Sequence, residues 1–333
     1  MNEQQTILNV LQPYLDTLLQ YWSTLQRFLA ENHTIALTWD VLCLVIPCAF
    51  LLAFTGMGFM SATARIFAVT RKRSSYEKCS RQLAFLGMMI GWGLLAGSRV
   101  WIFFQEKRFP PEITYLIEMS WLLLSLAVML SSIYFVLWRL LKNMPVLHMT
   151  VGLISAVQAC LTLVMILLTA RFLAAFVHPE AATLTMEHII PMSWDAPCWT
   201  AACYSLPLVF AMPAAFGSLW LVLRRNREDF GRDYYNTMIP WCAAWARNAW
   251  TVLWLILLTS GSVQMWLQWQ SGSFDQQSAL LDCARILLWA IPALLWAMVC
   301  RSAIAMRHKI TLLLALAVAA AFTLPWYLEL TSF

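Results

Sequence analysis

Charge is what this sequence has least of. Only 12% of its 333 residues are Asp, Glu, Lys or Arg, whereas 61% are hydrophobic and the mean hydropathy is +0.67. A soluble globular domain carries roughly 25% charged residues, so water is not the main solvent of this chain. No two of the 9 cysteines form a C-x-x-C pair. Cys43, Cys160, Cys242 and Cys300 lie inside apolar runs and read as small buried hydrophobes. Cys198 and Cys203 stand five residues apart near a helix start, a poor spacing for a disulfide. The first 30 residues lack a basic start followed by an apolar core, so no cleavable signal peptide is expected. A nucleotide-binding loop, a nucleophile elbow and an H-E-x-x-H motif are all absent. Any redox chemistry must therefore draw its electron carriers from a partner.

What is present in quantity is apolar sequence in long runs. A spanning helix needs about 20 mostly apolar residues. Eight segments qualify, roughly 41–64, 82–104, 114–138, 146–176, 198–223, 236–260, 279–300 and 310–328. The 18 Trp suit the membrane–water interface, where an apolar ring with one N–H donor is best solvated.

Basic residues are divided unequally between the connections. One side holds Arg65, Arg71, Lys72, Arg73, Lys78, Arg81, Arg139, Lys142, Arg224, Arg225, Arg227, Arg232, Arg301, Arg307 and Lys309. The other holds only Arg27, Lys107 and Arg108. Basic residues near helix ends stay cytoplasmic. The asymmetry predicts both termini outside, in a multi-pass protein of a bacterial inner membrane. The net charge of +5 is thereby a topology signal, and no nucleic-acid partner is expected.

Over residues 5–30, Ile7, Leu11, Tyr14, Leu18, Trp22, Leu25 and Leu29 recur at spacings of three and four. That is one face of an amphipathic helix, lying along the outer membrane surface or docked on a partner there. The two halves of the remaining chain share an order of features. Val69–Tyr76 follows span 1 as Val222–Phe230 follows span 5, and Ser98-Arg99-Val-Trp101 matches Ala246-Arg247-Asn-Ala-Trp250. Four spans per copy make the repeat parallel. The expected fold is all-α and polytopic, with eight transmembrane helices as two parallel-repeat four-helix bundles and an N-terminal amphipathic helix. Residues 1–38 form the interfacial segment, 39–177 the first bundle and 178–333 the second.

Intramembrane charges face a bundle interior or cavity by default. Arg99, Glu118, Arg171, Asp282 and Arg285 all fall in the outer half of their spans, with Arg247 nearer mid-depth. Two readings stay open: ion pairs that lock helices together, or a polar pocket for an amphipathic headgroup such as a quinol. His33, His148, His178, His188 and His308 all lie outside the middle of the spans, so no haem buried in the bundle is expected. His178, Glu180, Glu187, His188 and Asp195 share one outer loop without metal-ligand spacing and read as a solvated acidic loop. A proton pump or ion-coupled transporter would carry deep carboxylates, and none stands at mid-depth.

Three stretches carry a family likeness. They are Leu83–Gly91 running to Ser98-Arg99, Glu118 at the start of span 3, and Ala170-Arg171-Phe172 with Ile190-Pro191-Met-Ser-Trp194 and Gly217. The chain resembles the eight-span membrane anchor subunits of molybdopterin oxidoreductases, of the dimethyl sulfoxide reductase anchor and polysulfide reductase (NrfD-like) type. The likeness covers about residues 41–225. It departs at Ser98-Arg99-Val-Trp101, where such anchors often carry His, and at Phe322-Thr-Leu-Pro325-Trp326-Tyr327, where a C-terminal signature is missing. The resemblance implies a subunit that passes electrons between membrane quinone, menaquinone or ubiquinone, and an iron–sulfur subunit docked outside beside a catalytic molybdopterin subunit. It implies Glu118 as proton acceptor and Arg99 or Arg171 polarising a quinone carbonyl. Trp101, Trp121, Asp282 and Arg285 complete the expected quinone site, with no haem and no covalently bound cofactor. Two other readings compete: a non-catalytic scaffold subunit, and a small-solute transporter.

Overall fold

Proline opens several of the helices. Pro111, Pro145 and Pro292 each occupy a first helical turn, where the missing N–H has no intrahelical acceptor to lose. The computed structural model describes residues 20, 23, 27, 33–105, 109–141, 143–178, 189–191, 197–272 and 274–332. These form α1 (His33–Thr70), α2 (Ser74–Gln105), α3 (Pro111–Val136), α4 (Pro145–Val177), α5 (Pro197–Arg224) and α6 (Arg232–Gln270). There follow α7 (Gln276–Leu288), α8 (Ile291–Arg301), a 3-10 turn (Ala305–Arg307), α9 (Lys309–Ala321) and α10 (Thr323–Thr331). Among the described residues there is no strand.

Among the described residues eight stretches are long and apolar enough to cross a membrane, and they overlap the eight predicted from the sequence. Helices α1 to α6 supply spans 1 to 6, α7 and α8 together make span 7, and α9 and α10 make span 8. The chain is a multi-pass helical membrane protein. Helix α6 has 39 residues. At 1.5 Å per residue it is about 58 Å long, so it projects well beyond a hydrocarbon core of about 30 Å.

Two compact units divide the chain, Met1–Ile46 and Pro47–Phe333. Of the first, the amphipathic pattern at 5–30 lies almost wholly outside the described residues. Packing in the second follows small residues. A Cβ at Gly56 would stand 1.7 Å from the Val209 carbonyl oxygen, so only glycine lets spans 1 and 5 approach this closely. Spans 2 and 3 are neighbours, as are 3 and 4. Span 6 packs on spans 5 and 7, and span 8 on spans 7 and 5.

Consecutive spans alternate in direction. The ends of spans 2, 4, 6 and 8 and the starts of spans 3, 5 and 7 therefore share one face, called here the C-terminal face; the basic connections lie on the other. On the basic face, Ser61 and Ser80 donate their hydroxyls to each other's carbonyl at 2.8 and 2.6 Å, and Tyr134 joins Ser61 at 3.0 Å. Arg65, counted from the sequence with a connection, is instead buried within α1. It pairs with Glu77 at 2.7 Å and lies over Trp138. His148 is buried as well, stacked on Tyr134 at 4.5 Å with its Nε2 3.2 Å from the Tyr134 carbonyl. A second network joins the halves. Gln82 donates to Glu228 at 2.7 Å and accepts from Tyr234 at 2.7 Å, while Arg224 grips the other Glu228 oxygen at 2.5 Å.

The cysteine expectation needs correcting. Cys242 is buried, but Cys160 and Cys300 are only half-buried and Cys43 is exposed. In a membrane an apolar run does not imply a protein interior, because lipid is an equally good solvent for a thiol. All nine cysteines, Cys198 and Cys203 included, are free.

Candidate functional site

Span 7 is not one helix. Pro292 has no N–H to donate, and the Ala290 N–H turns back to the Leu287 carbonyl, which deprives the Ile286 carbonyl of its usual donor. Inside a bilayer an unsatisfied carbonyl costs several kcal/mol. Two indoles on span 6 meet the need: Trp254 donates to the Ile286 carbonyl at 2.9 Å and Trp250 to the Trp289 carbonyl at 2.7 Å. Trp289, at the break, stacks on Phe322 of span 8 with ring centroids 4.5 Å apart, and on Trp250 at 5.8 Å.

Above this aromatic floor, towards the C-terminal face, lies a cavity of about 260 Å³. Spans 5, 6, 7 and 8 all contribute to it. Trp289, Leu257 and Ile286 form apolar walls, while Tyr204, Ser260, Gln264, Asp282, Arg285 and Glu329 bring polar groups. Arg285 pairs with Glu329 at 2.7 Å, and the Tyr204 and Ser260 hydroxyls lie 3.3 Å apart. Gly261 stands opposite Ile286, where a Cβ would come within 2.8 Å of the Ile286 Cδ1. Asp282 enters no ion pair among the described residues. The lining therefore holds two carboxylates against one guanidinium, with one carboxylate uncommitted.

The sequence placed Arg99, Glu118, Arg171, Asp282 and Arg285 at one level, and these five do share the C-terminal face, whereas Arg247 lies nearer the basic end of its helix. The five are not brought together as one site. Arg99 and Glu118 form a separate pair at 2.8 Å between spans 2 and 3, with side chains 52% and 42% exposed and the guanidinium over Trp121 at 5.2 Å. Beside them Trp101 and Trp121 line a smaller cavity of about 200 Å³ with Ser98, Ser120 and Thr169. Glu118 lines neither that cavity nor the one in spans 5 to 8.

Arg171 has another task. Its Nε donates to the Ile189 carbonyl at 2.7 Å, and its Nη1 to the carbonyls of Leu330 and Ser332, the latter at 3.1 Å. A buried cation thus sits on the carbonyl end of span 8, where the helix dipole is negative. Arg247 turns to its neighbour, donating from Nε and Nη2 to the Asn248 side-chain oxygen at 3.0 and 2.8 Å. His178 ends α4, while Glu180, Glu187, His188 and Asp195 lie outside the described residues. Among the described residues no group of three His, Cys, Asp or Glu side chains is placed to hold a metal ion.

Sequence reasoning missed Glu329, Tyr204 and Ser260. Glu329 falls one residue beyond the predicted end of span 8, and hydroxyls inside apolar runs give no periodic signal. Fold and site together define a polytopic helical membrane protein with a polar, aromatic-floored cavity near one membrane surface. Comparison with protein-family models, curated proteins and solved structures finds no match to this chain.

Proposed function

We propose that the chain is a quinol-interacting membrane subunit of a respiratory oxidoreductase complex, with the quinol headgroup bound in the cavity of spans 5 to 8. The observation that carries this reading is the pairing of an aromatic floor, Trp289, with an uncommitted carboxylate, Asp282, in one cavity near the membrane surface. A quinol is an apolar ring with two ionisable hydroxyls. Trp289, Leu257 and Ile286 offer surface to the ring, and Tyr204, Ser260 and Arg285 offer donors to its oxygens. Asp282 accepts a proton when the quinol is oxidised, which is general base work. Two electrons and two protons leave a quinol on oxidation, and the protons pass one after the other through the exposed Asp282 to water at the C-terminal face. The electrons pass to an iron–sulfur partner docked on the C-terminal face, which this reading makes the outer face by the placement of the basic residues.

The expected acid–base residue thereby moves. Glu118 is the proton acceptor implied by the family resemblance, but it is paired with Arg99 outside both cavities. The proposal retains Asp282 and Arg285 in the quinol site. A two-bundle plan, as a parallel repeat with boundaries near 39–177 and 178–333, is part of the proposal: spans 2, 3 and 4 pack in sequence and spans 5 to 8 pack on one another, while span 1 reaches across to span 5 at Gly56. The matching of Arg99 with Arg247 is not part of it, because Arg247 lies nearer the basic end of its helix.

A second reading has one observation in its favour. Interrupted helices beside a cavity are frequent in secondary transporters, and span 7 is interrupted at the floor of this one. The test is binding of a quinol analogue to the purified chain. Saturable binding that Asp282→Asn weakens about ten-fold, the scale of one hydrogen bond to a charged group, and that Glu118→Gln leaves unchanged, supports the quinol reading. Absence of binding, together with solute uptake by vesicles holding this chain alone, refutes it in favour of transport.

A further inference from the structure

A third depression, much less polar than the cavity of spans 5 to 8, runs along the membrane face between spans 5 and 6. It has a volume of about 450 Å³ and is lined by Pro207, Phe210, Trp241, Trp245, Ala249 and Val252 among others. Leu206 and Val252 on its rim are exposed, so it opens sideways into the bilayer. From Trp241 to Ile256 the helix rises about 22 Å at 1.5 Å per residue, more than the roughly 15 Å of one hydrocarbon leaflet. The groove is thus long, narrow and apolar, the shape of a single extended hydrocarbon chain.

Its basic end adds charge. Trp241 presents edge contacts to Tyr76 at 5.7 Å and Phe67 at 6.2 Å. Over these same two rings lies the Arg71 guanidinium, 4.6 Å from Phe67 and 5.8 Å from Tyr76, with Nη1 donating to the Tyr76 hydroxyl at 3.1 Å. Arg71 is therefore held in place by an aromatic platform that continues into the groove wall, and it still has N–H donors to offer. Lys72, in the left-handed region at φ 51°, and Arg73 follow in the same exposed turn. Among the described residues none of these three cations enters an ion pair.

We propose that the groove between spans 5 and 6 seats one acyl chain of an anionic phospholipid, whose phosphate is held by Arg71 with Lys72 and Arg73 beside it. An interfacial cation is attracted to an anionic headgroup, whereas a quinol headgroup is neutral. The charge at the mouth selects the phospholipid over an isoprenoid quinone, although both have apolar tails that suit the groove. This groove shares no lining residue with the cavity of spans 5 to 8 and does not depend on its assignment.

The test uses the full chain, stripped of lipid and offered phosphatidylglycerol and phosphatidylcholine with identical acyl chains. Bound lipid is counted by native mass spectrometry. The wild type retains phosphatidylglycerol preferentially. Arg71→Gln lowers that preference about five-fold, the scale of one interfacial charge, and Ala249→Phe, which fills the groove, reduces occupancy by both lipids. Should Ala249→Phe disturb folding, a photoreactive acyl chain on the wild type labels residues between Trp241 and Ile256. Equal retention of the two lipids, acyl labelling elsewhere, or unchanged occupancy in a well-folded Ala249→Phe would overturn the proposal. So would a quinone that displaces the bound phospholipid from the groove.

Discussion

Two carboxylates near the C-terminal face, Glu118 and Asp282, differ in what surrounds them. Glu118 is engaged by Arg99 and stands at an exposed helix surface; Asp282 lines a cavity with an aromatic floor and has no cation paired with it among the described residues. The sequence showed both as acidic residues near span starts and had no means of separating them, because the distinction depends on partners contributed by other spans. Glu329 makes the point more sharply: it takes Arg285 as its partner from the neighbouring span, 44 residues away in sequence. Arg171 was legible as a costly intramembrane charge, yet its partners are backbone carbonyls, which no sequence pattern marks. Replacing it by Ala strands the carbonyls of Ile189, Leu330 and Ser332. Of these the Leu330 carbonyl is buried, and a buried group left unpaired costs about 1–3 kcal/mol. Arg171→Ala should accordingly lower the thermal unfolding midpoint of the purified chain by several degrees while leaving quinol-analogue affinity at the wild-type value. A loss of affinity without a loss of stability would return Arg171 to the binding site.

The helices were largely visible beforehand, since eight apolar runs of spanning length leave little choice in a bilayer. Their interruptions were not. Pro292 was in plain view, but whether a proline bends a span or breaks it depends on which groups satisfy the freed carbonyls, and the donors at this break come from span 6. Trp250 and Trp254, one turn apart, place two indole N–H groups on one helix face opposite the break in span 7. Trp254→Phe keeps an aromatic ring and removes only the donor to the Ile286 carbonyl. The expected result is a loss of about 1–3 kcal/mol of stability, read as a lower unfolding midpoint in detergent, together with faster hydrogen exchange around the break. Wild-type stability would mean that the break is satisfied by other groups.

For the whole molecule, the eight spans among the described residues, the helical class and the gathering of the intramembrane charges other than Arg247 towards one face followed from hydropathy and from the position of each charge along its span. The division of those charges into two clusters did not, because depth is a one-dimensional quantity and the clusters are separated laterally. Orientation is checked by reporters: one fused after Phe333 should be active only outside, and one inserted near Ser75 only inside. The reverse pattern in both would invert the molecule and place the cavity on the cytoplasmic surface.

The most direct trial of the quinol reading is to let the ligand report its own position. A photoreactive quinol analogue, irradiated with the full chain in lipid nanodiscs and mapped by peptide mass spectrometry, should label residues from the cavity lining, around Tyr204, Leu257–Gln264 or Asp282–Trp289. Excess unlabelled quinol should suppress that label. Saturable labelling confined instead to Arg99, Glu118 and Trp121, or labelling that excess quinol does not reduce, would contradict the account.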